Sequence, residues 1–202
     1  IKRSLYARIA SHVAPHALIT SNTSGLSAAR LSEALPEALR PRFLVTHFFN
    51  PPRYLKLLEL VRGPDTADAV VAFFEDFGDR VLGKGIVHAK DTPNFIANRV
   101  GCFGVFRTLQ VMLERGYTVA EVDKLTGKAV GRPKSATFRT ADLVGLDTLA
   151  HVADNLYQRL EHDPHRGLFE LPDFMKRLIA EGLLGEKAGA GFYRKARGAD
   201  GT

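Results

Sequence analysis

A change of apolar rhythm near Lys90 restricts the fold of this chain more than any other feature. Upstream of it, short apolar runs of strand length alternate with helical stretches. Lys2–Val13 places Leu5, Ile9 and Val13 four residues apart, one face of a helix that Pro15 closes. Ala17–Thr20, Arg42–Phe49 and Tyr54–Val61 read as strands, with a turn of small hydrogen-bonding residues at Ser21–Gly25 and a short helix at Ser27–Leu35. Asp65–Gly78 reads as a helix opening after Pro64, with Val70, Val71, Phe73, Phe74 and Phe77 on one side. Arg80–His88 reads as a glycine-interrupted strand pair. Such alternation predicts a layered α/β sheet.

Downstream the pattern is all-helical. KDTPNF at Lys90–Phe95 is a turn, and Phe95–Gly116 is one long helical stretch ended by its glycine. Thr118, with Glu121 three residues on, is a capping-box signature for Thr118–Lys128. Gly131–Phe138 reads as a loop, and Asp142–Leu160 and Leu171–Glu181 as further helices. The expected division is therefore 1–90 as α/β and 91–202 as all-α, with a frayed tail at Arg197–Thr202. The opening IKRSLYARIA lacks an initiator Met and a cap, so a piece of a longer chain is expected.

Charge and cysteine content narrow the function classes. The formal charge is +6, but Lys and Arg are spread from Lys2 to Arg197 with acids between them. Nucleic-acid binding calls for a basic cluster interleaved with aromatics, and none occurs. The charge fits a solvated basic surface with a site for a phosphorylated small molecule. Cys102 is the single cysteine, so there is no disulfide framework and a reducing, cytoplasmic setting is expected. Cys102 itself reads as a small buried hydrophobe. No apolar run is long enough for a membrane span, and no signal peptide opens the chain.

The stretch THFFNPPRYLKLLEL, Thr46–Leu60, carries the sharpest chemical question: His47 in one predicted strand and Glu59 in the next. A carboxylate bonded to one imidazole nitrogen fixes the tautomer and raises the basicity of the other, as a hydroxyl oxidation needs. The same residues are also consistent with a satisfied core histidine and an edge-strand glutamate. SNTS at Ser21–Ser24 follows a predicted strand, where ligands bind in open α/β sheets, yet serves equally as a turn or helix cap. Asn98 is a polar amide among apolar neighbours, suited to bracing a domain boundary or to facing a cleft. The remaining histidines lack companions at ligand spacing, so no metal site is expected. There is no GxGxxG fingerprint.

SNTSGLS, THFFNPPRYLKLLELVRG, KDTPNFIANRV, DLVGLDT and EKAGAGFYRK occur in an order that resembles the L-3-hydroxyacyl-CoA dehydrogenases of fatty-acid β-oxidation, over essentially the whole chain. The resemblance implies the C-terminal part of a Rossmann-type NAD-binding domain plus a helical, 6-phosphogluconate-dehydrogenase-C-terminal-like domain that mediates homodimerisation, with the active site in the cleft between them. It implies His47 as catalytic base and Glu59 as its paired carboxylate. Ser24 and Asn98 match residues that bond the substrate's 3-oxygen region. Lys2, Ser24, Asn50 and Lys187 match residues near the NAD cofactor. The implied substrate is an acyl-CoA.

The sequence also departs from that family. Its N-terminal βαβ unit, with the glycine fingerprint and the ribose-binding acid, is absent, so weak or no NAD binding by this piece alone is expected. Asn94 stands where the family often has glycine, and GRPKSATFR at Gly131–Arg139 replaces a loop more often GYPMGPFE-like. That loop, and a chain that continues past GFYRK, resemble the longer bacterial enzymes that carry a fused enoyl-CoA hydratase part.

Overall fold

The computed structural model describes residues 1–194; the tail expected to fray lies outside the described residues. The chain forms two compact units, Ile1–Arg99 and Val100 onward. The first is α/β and the second helical.

In the first unit, helix α1 (Lys2–Ile9) leads to strand β1 (Ile19–Ser21), helix α2 (Ala28–Ser32), strands β2 (Phe43–Phe48) and β3 (Leu57–Arg62), helix α3 (Asp68–Asp76) and strand β4 (Gly85–Ala89). The strands form one sheet in the order β1-β2-β3-β4. β1 and β2 are parallel, β2 and β3 antiparallel, and β3 and β4 parallel. The parallel pairs require crossovers, which α2 and α3 supply, while β2 and β3 need only the short Phe49–Lys56 connection.

Strand alternation sorts the core onto two faces. Phe43, Val45 and Val61 join Tyr6, Leu31 and Leu35 on one side, while Leu44, Leu58 and Leu60 join Val70 on the other. Both faces are covered, so these strands read as near-continuous apolar runs. His47 and Glu59 share the parity of Val45 and Val61, and the register sets them directly opposite each other, His47 against Glu59. A slip of one residue would turn the side chains of the shifted strand to the other face and separate the pair.

Three expectations are corrected here. α1 buries Tyr6, with Ile9 and Val13 packed partly against the same core, while Leu5 of the expected stripe is exposed. In α3 only Val70 and Val71 are buried, and Phe73 instead stacks on Phe77 at the surface. Arg80–His88 holds a single strand: Phe77–Val81 continues α3 as a wide π turn, which Gly83 at φ 62 ends.

Helix α4 (Ala97–Arg115) starts in the first unit and runs into the second, which adds α5 (Val119–Thr126), α6 (Phe138–Val144), α7 (Leu146–Arg159) and α8 (Asp173–Ala180). Phe106, Leu109, Phe138, Leu146, Leu156, Phe169 and Met175 form its core. The expected capping box is present: Thr118 Oγ1 accepts from Glu121 N, and Glu121 accepts from Thr118 N. The expected Asp142–Leu160 helix is instead broken at Gly145, whose φ of 98 no helix accommodates. Cys102 is half-buried, and burial pushes its thiol up to about 11, which suits an inert packing residue.

Asp142 closes this unit by accepting from Phe192 N and Tyr193 N at 2.8 and 2.9 Å. Gly185, at φ 99, lies so close that a Cβ there would collide with the Asp142 backbone. Gly185→Ala should therefore cost about 2–4 kcal/mol, a left-handed penalty plus overpacking. Gly116→Ala, at φ 69 with nothing within 4 Å of its added Cβ, should cost only the first part, about 1–2 kcal/mol. Urea denaturation of both variants checks this; equal losses would contradict the close approach.

Candidate active site

Glu59 has no solvent-exposed surface, a position that an unanswered carboxylate could not hold. Three donors answer it. His47 Nδ1 lies 2.7 Å from Oε2, while Ala97 N and Ile96 N donate to Oε1 at 2.8 and 3.1 Å. The two backbone N–H groups are the start of α4, so the carboxylate also sits at the positive end of a 19-residue helix. That helix has no acid of its own in its first turn, and Glu59 supplies the charge across 38 residues.

The backbone just before α4 is shaped for this contact. Asn94 and Phe95 are both left-handed, at φ 60 and 53. Asn tolerates that region, whereas a phenylalanine there stores about 1–3 kcal/mol of strain and persists only where its surroundings dictate it. Phe95 is 2% exposed, and its ring meets His47 edge-on at 5.6 Å. Phe49 packs on the same imidazole at 4.4 Å. The imidazole is thus fixed on three sides, with Nδ1 on the carboxylate and Nε2 directed away from it.

Burial alone would raise the Glu59 carboxyl, but the hydrogen bonds from His47 and Ala97, the charge of His47 and the bond from Ile96 outweigh it, and the group is held below its ordinary range. Ionised Glu59 can only accept, so Nδ1 carries the proton of the bond, and in the neutral form of the ring Nε2 is the lone-pair acceptor. That is the arrangement of a general base with an orienting acid.

The other sequence-predicted residues fall as follows. Asn22 and Ser24 lie at the carboxyl end of β1. Asn22 Oδ1 accepts from Phe48 N at 2.9 Å, tying this loop to the strand that carries His47. Ser24 is exposed, and Asn98 Nδ2 reaches its backbone carbonyl at 3.4 Å rather than its hydroxyl. Lys2 Nζ lies 3.5 Å from Ser21 Oγ, at the same end of the sheet. Asn50 is exposed two residues beyond β2. Lys187 lies in the second unit, paired with Asp147 at 2.6 Å, and this partner holds the Asp147 carboxyl below its usual range. Among the described residues no group of three or more His, Cys, Asp or Glu is placed to hold a metal. A groove of about 550 Å³ lined by Phe103, Leu113, His165 and Leu168 lies wholly in the second unit and contains none of these residues.

Sequence reasoning missed Asp91. Its carboxylate accepts from Ser27 Oγ at 2.7 Å and from Ala28 N and Ala29 N at 2.8 and 3.0 Å, capping α2 from 62 to 64 residues away. No spacing rule finds a cap so remote; the acid in KDTPNF was its only trace.

Glu59→Gln should destabilise the fold by about 1–3 kcal/mol at neutral pH, because an amide cannot accept from His47, Ile96 and Ala97 without turning its own NH2 toward a donor. The carboxyl is held low in the folded state, so its contribution is complete above the ordinary value and fades as pH falls through the lower folded value. The gap between wild type and variant should thus narrow in acid. Thermal melts from neutral to acid pH measure it; a gap that widens in acid would contradict the ionised pair.

Residues 1–92 match the family profile described as 3-hydroxyacyl-CoA dehydrogenase, NAD binding domain, and residues 95–195 match 3-hydroxyacyl-CoA dehydrogenase, C-terminal domain. A probable 3-hydroxyacyl-CoA dehydrogenase of Bacillus subtilis (strain 168) is 49% identical over 195 residues, covering 96% of this chain and 25% of that protein. A probable 3-hydroxyacyl-CoA dehydrogenase of Deinococcus radiodurans is 45% identical over 196 residues, 97% of this chain and 56% of that one. The crystal structure of an (S)-3-hydroxybutyryl-CoA dehydrogenase from Ralstonia eutropha superimposes with a TM-score of 0.85 at 31% identity, covering 96% of this chain and 66% of the other. The chain thus spans a quarter of the first curated relative's length and just over half of the second's. With matches to both of its domains, the chain belongs to the 3-hydroxyacyl-CoA dehydrogenase family.

Proposed function

We propose that the whole protein oxidises (3S)-3-hydroxyacyl-CoA to 3-oxoacyl-CoA with NAD, in fatty-acid β-oxidation, with His47 as the general base. The observation that carries this reading is the buried His47–Glu59 pair at 2.7 Å, with Nε2 left to act. His47 Nε2 takes the proton of the substrate 3-hydroxyl. Glu59 keeps the imidazole in place and stabilises the imidazolium as it forms, the role of the acid in a Ser-His-Asp triad. Ser24 and Asn98 keep the oxygen in line, a positioning contribution. Lys and Arg side chains meet the CoA phosphates, in keeping with the formal charge of +6.

The residues present fit one end of the cofactor. Lys2, Ser24 and Asn50 offer polar atoms at or just beyond the carboxyl ends of β1 and β2, where dinucleotides lie in open α/β sheets. NAD, when bound, supplies the hydride acceptor. Lys187 is a further contact on this reading. Residues 1–90 act as the C-terminal part of the NAD-binding domain, and 91–202 as the helical substrate and dimerisation domain. The glycine-rich pyrophosphate turn is not among these 202 residues, so this stretch by itself binds NAD weakly and is inactive. In the native cytoplasmic chain a fused enoyl-CoA hydratase part accompanies it. No described helix is long and apolar enough to cross a membrane.

His47→Gln in the full-length protein should lower kcat by about 10²–10⁴-fold, the usual worth of a general base, with folding intact. NADH oxidation with acetoacetyl-CoA, followed at 340 nm, measures it, and near-normal turnover would refute the role. A homodimer is also expected. Val100, Leu113, Leu125 and Val130 each stand more than half exposed on the helical unit, apolar area that a second copy would cover. Sedimentation of the full-length protein should report twice the chain mass at micromolar concentration; a monomer would contradict it.

A further inference from the structure

Lys84 is one of the few charged residues buried in the first unit, at 9% exposure. A buried ammonium is retained only where acceptors replace its water. Here the acceptors are two backbone carbonyls of one loop: Nζ donates to Pro52 O and, at 2.7 Å, to Leu55 O. That loop joins β2 to β3, the two strands that carry His47 and Glu59.

The surroundings give this contact a purpose. Residues 50–56 are all exposed, so packing does not hold them. Their internal support is a single turn, in which Tyr54 N and Leu55 N both donate to Pro51 O at 3.0 and 3.1 Å. Lys84 is itself rigidly placed. Its N–H donates to Gly78 O near the start of the π turn, and the next residue's N–H donates to Lys56 O, both at 2.8 Å. The lysine therefore reaches from the fixed end of β4 under the loop and ties it down between its two strands. The segment just before the loop is Phe49 and Asn50, and Phe49 packs on the His47 ring.

We infer that Lys84 is a positioning residue for the oxidation: its ammonium clamps the 51–55 turn and thereby fixes Phe49 against the imidazole of His47. This rests on the proposed dehydrogenase reading. A neutral side chain of similar length leaves the Pro52 and Leu55 carbonyls to water and the loop to several conformations. Displacements of about an ångström at a reacting centre cost up to a hundredfold in rate.

The test compares full-length wild type, Lys84→Met and Lys84→Gln by hydrogen exchange and by acetoacetyl-CoA reduction with NADH. In Lys84→Met the Tyr54 and Leu55 amides should exchange at least tenfold faster, while amides within β2 and β3 stay protected. Its kcat should fall at least tenfold with KM changed less than threefold. Lys84→Gln, which can still donate to one carbonyl, should fall between. A loosened loop with unchanged kcat would overturn the positioning role. Unchanged exchange would overturn the clamp, and so would loss of protection throughout β2 and β3, which would make Lys84 a residue of the fold. An inactive wild type would instead overturn the dehydrogenase reading, and the catalytic purpose of the clamp with it.

Discussion

A carboxylate with no access to water must be answered by donors, and the placing of those donors organises the first unit. Glu59 draws in an imidazole from the neighbouring strand and two N–H groups from the start of α4. Each partner is then constrained in turn. β2 and β3 must keep their register so that His47 and Glu59 face each other, and the chain before α4 must adopt two successive left-handed residues so that Ile96 and Ala97 point at Oε1. The same three bonds that make the buried charge tolerable also set the tautomer of His47. Removing one partner of such a network costs more than the network contributes in sum, because the others are left unpaired.

The device recurs elsewhere in the chain. Asp91 caps α2 from the turn before α4. Asp123 does the same for α6, accepting from Thr137 N, Phe138 N and Arg139 N, and it also accepts from the Tyr193 hydroxyl at 2.9 Å. Burial first, then that acid, pushes the Tyr193 hydroxyl up to about 12. Asp142 holds the Phe192–Tyr193 turn. In each case a side chain distant in sequence satisfies N–H groups that a helix or turn leaves open. Short elements that could not stand alone are held by acids from other segments.

Much of this was legible in the sequence, and the limits have physical causes. Element type was clear wherever a period was long, as in α4, or a local cap was present, as at Thr118. The pairing of His47 with Glu59 was available as one of two readings, because twelve residues with a short link can place two strands antiparallel. Which face α1 buries was not legible, since Tyr6 and Leu5 are adjacent and only tertiary packing chooses between them. Gly145, where the helix breaks, is crowded by Lys187, and Gly78, in the π turn after α3, by Leu58; both neighbours lie far away along the chain, so no local pattern announces either feature. Ser24 and Asn98 were expected at one place and do meet, but through a backbone carbonyl. Lys84 and Asp91 went unnoticed because a lysine bound to carbonyls and an acid bound to amides leave no pairing of opposite charges to read.

The central claim is that the ionised Glu59 carboxylate accepts a proton-bearing Nδ1 and so leaves Nε2 of neutral His47 free. Two-bond proton–nitrogen correlation spectra of the full-length protein at neutral pH report this tautomer directly. The account predicts Nδ1 as the protonated nitrogen and Nε2 as the bare one; a neutral ring protonated at Nε2 would contradict it.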